Sequence, residues 1–318
     1  MLDRKFVPQF NVTLRCNMYN VCRYCYVKEQ EGKFPLDLDC QDFGRILDWF
    51  ITLGVDEVIL LGGEPTLHPL FAQVLDTLRH RELSARLFTN GTYNSTIADL
   101  VEQNECVETI FFHYDENYFR HSDRMTEKFL NNIERASMSG KKIWLRWNID
   151  TPDIDHARVI TLAKKYGTNI GYSISVPTPT SYQIPIPRVH EYAESLVDFV
   201  TSASENRIEV HPARALPLCA FGDREIELLK RLGNLEGTCI AINDITVNTD
   251  LSIQLCSVTH SVRTSQVTGV RDLEEKIEFL KGEESKLRAI PAIPECKECE
   301  WFKNAECQGG CYGYKLFG

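Results

Sequence analysis

Apolar and polar positions switch period several times between residues 7 and 205. Alternating or continuous apolar runs at 7–14, 57–61, 85–89, 107–114, 142–149 and 170–176 read as strands. Between them apolar residues recur at helical spacing. In the first such segment Asp39 stands where an N-cap belongs, Phe43, Ile46, Leu47 and Phe50 share one face, and Gly54 ends the run. The other helical segments fall at about 69–82, 95–104, 123–139, 153–166 and 187–204. Six βα units in series predict parallel strands joined by right-handed crossovers. A closed eight-unit barrel takes about 250 residues and two further units. The pattern therefore predicts an α/β fold, a partial (β/α)6 TIM-like barrel.

Parallel strands covered by helices usually read as continuous apolar runs. Several strands here alternate instead. Gln9, Asn11 and Thr13 share a face of the first, and Thr109, His113 and Asp115 continue one face of the fourth. Arg146 and Asn148 oppose Leu145, Trp147 and Ile149 on the fifth, and Ser173 and Ser175 share a face of the sixth. Two readings compete: an exposed sheet face, or a barrel lumen kept polar to hold a ligand. After residue 205 the rhythm changes. A proline-bearing connector, HPARALPLC, precedes an alternating stretch around Asn248-Thr249-Asp250 that reads as a β-hairpin with Cys239 and Cys256 at its outer ends. A helix follows at about 271–288, and then a cysteine-dense end with little regular pattern. Two domains are expected, 1–205 and 206–318, the second a small cysteine-rich β-hairpin and helix domain.

The 318 residues are 43% hydrophobic and 25% charged, ordinary for a globular protein. A net charge of −10 argues against broad phosphate-backbone binding, so nucleic acid is not the expected partner. No apolar run approaches the roughly 18 residues of a membrane span. The N-terminus reads as an amphipathic strand, not a signal peptide, and a cytoplasmic location is expected. Twelve cysteines stand out. Without a secreted context, clustered cysteines point to metal more than to disulfides. Three lie at 16–25 and seven between 219 and 311, whereas Cys40 and Cys106 stand alone and read as small core hydrophobes.

The first cluster, CNMYNVCRYCY, has the spacing C-x5-C-x2-C just past the first strand, where barrels and open sheets place their ligands. Structural zinc sites close with four ligands, and no fourth Cys or His follows nearby. Three thiolates instead suit three irons of a [4Fe–4S] cluster, the fourth iron staying open. Past the second strand comes GGEPT, in which Gly62 and Gly63 let the backbone approach a neighbour closely and Glu64 offers a carboxylate to an ammonium group. G-G-E-P alone also fits a plain strand-to-helix turn.

Cys16, Cys22 and Cys25 after strand one, GGEPT after strand two, TNGT at 89–92 after strand three and the six βα units together resemble the radical S-adenosylmethionine (SAM) superfamily over about residues 5–205. The resemblance implies a [4Fe–4S] cluster on Cys16, Cys22 and Cys25 that binds SAM and cleaves it reductively, leaving a 5′-deoxyadenosyl radical that abstracts hydrogen. It further implies Tyr24 against the adenine and Gly62, Gly63 and Glu64 at the SAM amino group. Asp115, Arg146, Asn148 and Ser173 are the candidates for the ribose and carboxylate. The commonest family spacing has two residues fewer between the first two cysteines.

The C-terminal part resembles the SPASM/twitch extensions of these enzymes, which hold one or two auxiliary [4Fe–4S] clusters. The family pattern groups Cys219, Cys239, Cys256 and Cys311 in one cluster and Cys296, Cys299 and Cys307 in another with a non-Cys or open fourth position. A single twitch-type cluster on Cys239, Cys256, Cys296 and Cys299 competes with it. So does a zinc ribbon, since C-x2-C followed by C-x3-C closes a tetrahedral site. Cys219 also reads as a structural thiol or as a hydrogen-atom donor. Three functions stay open. The first is maturation of a ribosomal peptide. The second is oxidation of a small molecule by a dehydrogenase of the same superfamily, favoured slightly by the lack of a recognisable leader-peptide-binding domain. The third is a non-catalytic iron–sulfur or zinc protein. An external low-potential donor of flavodoxin or ferredoxin type is the implied partner.

Overall fold

Strand β1 (Gln9–Thr13) is the hub of the first of two compact units, residues 1–143 together with 240–284. The computed structural model describes residues 6–30, 32–116, 119, 122–176 and 186–317. β1 pairs in parallel with β2 (Glu57–Gly62), and β3 (Ser84–Thr89) and β4 (Val107–Tyr114) continue the run. The alternation forecast a strand at each place. The crossovers are α1 (Cys40–Thr52), α2 (Phe71–Arg79) and α3 (Ser95–Gln103), and α4 (Asp123–Met138) follows β4. Asp39 caps α1 as expected, accepting from the Gln41 and Asp42 N–H groups at 2.8 and 3.1 Å. Phe10 meets Phe43 and Phe50 edge-on at 5.3 and 5.7 Å, which fixes α1 on the sheet.

The second unit comprises residues 144–239 and 285–318. β5 (Lys142–Ile149, from Trp144 on), β6 (Asn169–Ile174) and β7 (Val210–Pro212) pair in parallel in that order. α5 (Ala157–Tyr166) and α6 (Ala193–Glu205) pack here; Phe199 of α6 meets Trp147 and Tyr172 edge-on at 5.4 and 5.6 Å. The architecture is mixed α/β with open, mainly parallel strand runs, the partial TIM-like arrangement that six βα units predicted. The polar strand faces are covered: Asn11, Thr13, Ser173 and Ser175 are buried, which excludes the exposed-face reading for them.

The region after 205 departs from expectation. β7 begins one residue before the proline-bearing connector and runs into it, too short for a period to show. α7 (Asp223–Arg231) follows, and its signal was present: Ile226 and Leu229 lie on one face and Glu225 bonds back to the Gly222 N–H. The hairpin is shorter than forecast, β8 (Thr246–Val247) and β9 (Ser252–Gln254), preceded by a 3-10 turn at Ala241–Asp244. A third strand, β10 (Arg263–Gln266), joins β9 and went unseen because RTSQ carries no apolar alternation. β8 pairs in parallel with β1, giving the order β10-β9-β8-β1-β2-β3-β4. The hairpin thereby belongs to the first unit. α8 (Val270–Ala289) leads from it to the cysteine-dense end.

Candidate metal centre

Three loops at the C-terminal ends of β1, β2 and β3 meet within the first unit. The loop after β1 holds Cys16, Cys22 and Cys25. Its long first gap is a built turn: the Val21 and Cys22 N–H groups both donate to the Met18 carbonyl, at 2.9 and 3.4 Å, and Met18 is buried. Asn17, also in the gap, bridges to the TNGT loop. Its amide donates to Thr92 Oγ1 at 2.8 Å, and its carbonyl accepts from Asn90 Nδ2 at 2.8 Å. Asn17 therefore anchors this loop to the one after β3. Nothing in the spacing pointed to Asn17. The Met18 N–H donates to Cys16 Sγ at 3.3 Å, and Lys28 Nζ holds the Cys22 carbonyl at 2.9 Å.

The glycine pair has an immediate structural reason. A Cβ on Gly62, whose φ is 142°, would fall on the Thr13 carbonyl, and one on Gly63 would fall on the Arg15 carbonyl. Gly63 and Glu64 N–H donate to those same carbonyls at 2.8 and 2.7 Å. The close approach is thus to the chain just before Cys16. Glu64 is buried, and its carboxylate accepts from Thr66 N–H and Oγ1, Thr89 Oγ1 and Asn90 N–H at 3.2, 2.6, 2.8 and 2.7 Å. It clamps the second loop to the third. Burial pushes its carboxyl above the ordinary range, against the pull of those donors.

The three thiols share one electrostatic environment. Burial pushes Cys16 up to about 12; the Met18 N–H works against it, and Glu64 and Cys25 add to it. Cys22 is raised by burial first, then by Asp115, Cys25 and Cys16. Tyr24, between the last two cysteines, points its hydroxyl to Asp115 Oδ2, to which it donates at 2.8 Å, and to His113 Nε2, also at 2.8 Å. Cys22, His113 and Asp115 place their ligand atoms within 4.8 Å of one another. The sequence put His113 and Asp115 on one strand face, but only the fold pairs them with Tyr24.

The donor set fits an iron–sulfur cluster. Three thiols converge from one loop, and two of them, Cys16 and Cys22, are raised by burial and by neighbouring cysteines, the condition that iron binding relieves. Cys16, Cys22 and Cys25 would hold the cluster; it would supply an electron to the sulfonium of bound SAM.

In the second unit Ser173 Oγ donates to Asn148 Oδ1, and Arg146 lies over Gly171, where any Cβ would strike its guanidinium. Cys296, Cys307 and Cys311 are buried, Cys239 and Cys299 half-buried, and Cys219 exposed. The Cys239 carbonyl accepts from Arg288, Gln308 and Tyr312 at 3.3–3.4 Å. Cys256 belongs to the first unit, where Thr259 Oγ1 contacts its N–H at 3.0 Å and its sulfur at 3.3 Å. Leading to it is a buried amide row. Asn11 Nδ2 donates to Asn248 Oδ1, Asn248 Nδ2 to Gln254 Oε1, and Gln254 Nε2 to the Cys256 carbonyl, at 3.1, 3.1 and 3.0 Å. Among the described residues no helix is long and apolar enough to cross a membrane.

Comparison with known proteins agrees with this geometry. Residues 10–148 match the family model of the radical SAM superfamily. A probable GTP 3′,8-cyclase of Sulfurisphaera tokodaii is 23% identical over 88% of this chain and 92% of its own length. Fe-coproporphyrin III synthase of Methanosarcina barkeri is 29% identical over 28% of this chain and 22% of its own, and GTP 3′,8-cyclase of Synechocystis 28% identical over 42% of each. Against those last two the chain spans less than half of the relative's length. The solved structure of Streptococcus suis SuiB bound to precursor peptide SuiA matches 98% of this chain and 73% of its own, with a TM-score of 0.69 at 14% identity, a likeness of fold. Residues 10–148, from β1 into β5, therefore carry a radical SAM domain.

Proposed function

We propose that the chain reductively cleaves SAM at the Cys16–Cys22–Cys25 loop and directs the resulting radical at a ribosomal peptide, as a maturase. When bound, a [4Fe–4S] cluster supplies the electron that splits SAM into methionine and a 5′-deoxyadenosyl radical. The residues around it bind and orient. Glu64 holds the second and third loops in register through its four accepted bonds. Tyr24, fixed by His113 and Asp115, presents a ring for the adenine. Gly62 and Gly63 keep the backbone after β2 against the end of β1 and would meet the SAM amino group there. Arg146, Asn148 and Ser173 are assigned to the ribose and carboxylate. The C-terminal cysteines are assigned to one or two auxiliary clusters, with electrons arriving from a flavodoxin- or ferredoxin-type donor in the cytoplasm. The observation that carries the SAM reading is the convergence of three mutually interacting thiols with the glycine-bearing loop that follows β2.

The peptide reading draws on the fold of SuiB, described with its precursor peptide. A second reading, a small polar substrate, is favoured by the buried amide row, in which Asn11 Oδ1 has no hydrogen-bond partner among the described residues, and by the likeness to one probable GTP 3′,8-cyclase over most of the chain. Anaerobically reconstituted protein, given SAM and dithionite, should form 5′-deoxyadenosine. Short peptides encoded beside the gene should stimulate that formation more than nucleoside triphosphates do. Stimulation by GTP alone would establish the second reading, and zinc without iron would overturn both.

A further inference from the structure

We propose that Cys219 is the fourth thiolate of a cluster site whose other ligands are Cys296, Cys299 and Cys307. The proposal rests on the reading that the C-terminal cysteines hold an auxiliary cluster. It replaces the open fourth position of the family pattern with a residue far upstream.

Three chain segments of the second unit make the site. Cys296 ends up beside Cys299 because the turn at Pro294–Lys297 lets the Cys299 N–H donate to the Cys296 carbonyl at 3.2 Å. The chain then doubles back. Ala305 takes a left-handed φ of 60°, and the Glu306 and Cys307 N–H groups both donate to the Trp301 carbonyl at 2.9 and 3.0 Å. Cys307 Sγ accepts the Gly309 N–H at 3.2 Å, which fixes the thiol at the return of the chain. The segment before Cys219 packs directly on this return. A Cβ on Gly310 would lie 2.9 Å from the Pro217 ring, and one on Gly237 would fall 2.5 Å from the Glu306 carbonyl and 3.2 Å from Leu218. Gly237 in turn accepts the Gln308 N–H at 3.0 Å. Two glycines thus bring 217–219, 237 and 306–310 to backbone contact, with Cys219 and Cys307 at their adjoining ends.

Cys219 interacts electrostatically with Cys307, Cys296 and Cys299, in that order. Cys311, by contrast, is buried and faces the charge of Arg214. The four sulfurs are also spread wider than one ion needs. A tetrahedral zinc holds its thiolates about 3.8 Å apart, from a Zn–S bond of about 2.3 Å. Among the described residues no three of these sulfurs lie within 4.8 Å of one another. A cube in which each thiolate binds a different iron takes the wider set. On assembly each thiol gives its proton to solvent and its sulfur to one iron, with no electron passing to or from the protein. A cluster with four thiolates has no iron open to substrate, which suits it to electron transfer.

Cys219 is the exposed member of the set, so its chemistry reports directly. The full chain carrying Cys16→Ala, Cys22→Ala and Cys25→Ala would be reconstituted anaerobically with iron and sulfide, then alkylated with iodoacetamide and mapped by mass spectrometry. Cys219 should label fully without iron and at least tenfold less with it, protected together with Cys296, Cys299 and Cys307. Adding Cys296→Ala and Cys299→Ala should restore its labelling. Labelling of Cys219 in iron-loaded protein while the other three are protected overturns the assignment and leaves the auxiliary cluster standing. Protection that survives the added Cys296→Ala and Cys299→Ala changes also overturns it, placing Cys219 in another cluster. Absence of bound iron, with all four labelled, overturns the auxiliary-cluster reading itself.

Discussion

The two cysteine sites of this chain are built in opposite ways. Cys16, Cys22 and Cys25 come from one loop after β1, so sequence proximity does the gathering and the rest of the unit only braces it. Asn17 ties that loop to Asn90 and Thr92, and Glu64 ties the two neighbouring loops together. Cys219, Cys296, Cys299 and Cys307 come from three segments, and contacts at Gly237 and Gly310 do the gathering. The first arrangement survives in a short motif. The second exists only once the unit has folded, because nothing local holds residue 219 near residue 307.

The sharpest way to break the comparison is to remove one thiol of the local site. Cys22→Ala should abolish 5′-deoxyadenosine formation and lower bound iron by about four per chain. Protection of Cys219 against alkylation should be unchanged. If iron fell at both sites together, the two would not be independent.

Glycine substitutions come next, because each site hangs on a close backbone approach. Gly62→Ala forces a side chain onto the Thr13 carbonyl at a φ of 142°. Strain and overpacking together cost about 3 kcal/mol, or more if the loop cannot shift. SAM cleavage and iron at the first site should be lost. Gly310→Ala meets the Pro217 ring at 2.9 Å with a φ of 78°. It should cost about 2 kcal/mol and release Cys219 to alkylation while SAM cleavage persists. Urea denaturation of the apoprotein, read beside iron content, separates the two effects. Crossed effects would show the comparison to be wrongly drawn.

How much of this was legible follows from the same contrast. The strands β1 to β6 and helices α1 to α4 announce themselves because each carries enough residues for a period to show. β7, with three residues including Pro212, and β10, with RTSQ, do not. The three-cysteine loop was visible as a motif, yet the purpose of its long gap was not, since Met18 and Asn17 act through partners more than 70 residues away in the case of Asn17. Glu64 looked like an ammonium acceptor on its own, and its four protein donors appear only in the fold. The family pattern makes Cys219 a cluster ligand, but beside Cys239, Cys256 and Cys311; its nearness to Cys307 was invisible, because adjacency made by packing leaves no spacing to read.

Tyr24→Phe tests a smaller element of the local site. The ring stays and only the hydroxyl that meets His113 and Asp115 is lost. A hydrogen bond of this kind contributes about 1 kcal/mol, so the apparent affinity for SAM should fall about fivefold. Iron content should not change. A loss of iron would make Tyr24 part of cluster assembly and not of SAM positioning.

The smallest effect belongs to the outermost brace of the same loop. Asp37 accepts from Thr13 Oγ1 at 2.7 Å and from the Arg15 guanidinium at 2.9–3.0 Å, just before Cys16. Burial works to raise its carboxyl, but Arg15 and Thr13 prevail and hold it below the ordinary range. A depressed carboxylate contributes stability that is complete above its unfolded value, near 3.9, and that fades as pH falls through the lower folded value. Arg15 is nearly half exposed, with 45% of its side chain open to solvent, so screening limits the contribution to about 0.5–1 kcal/mol. Asp37→Asn should therefore lower the stability of the apoprotein by that amount at pH 7 and by almost nothing near pH 2, with the difference shrinking in high salt. A difference that persisted in acid would mean that the brace works through the shape of the Thr13 contact and not through charge.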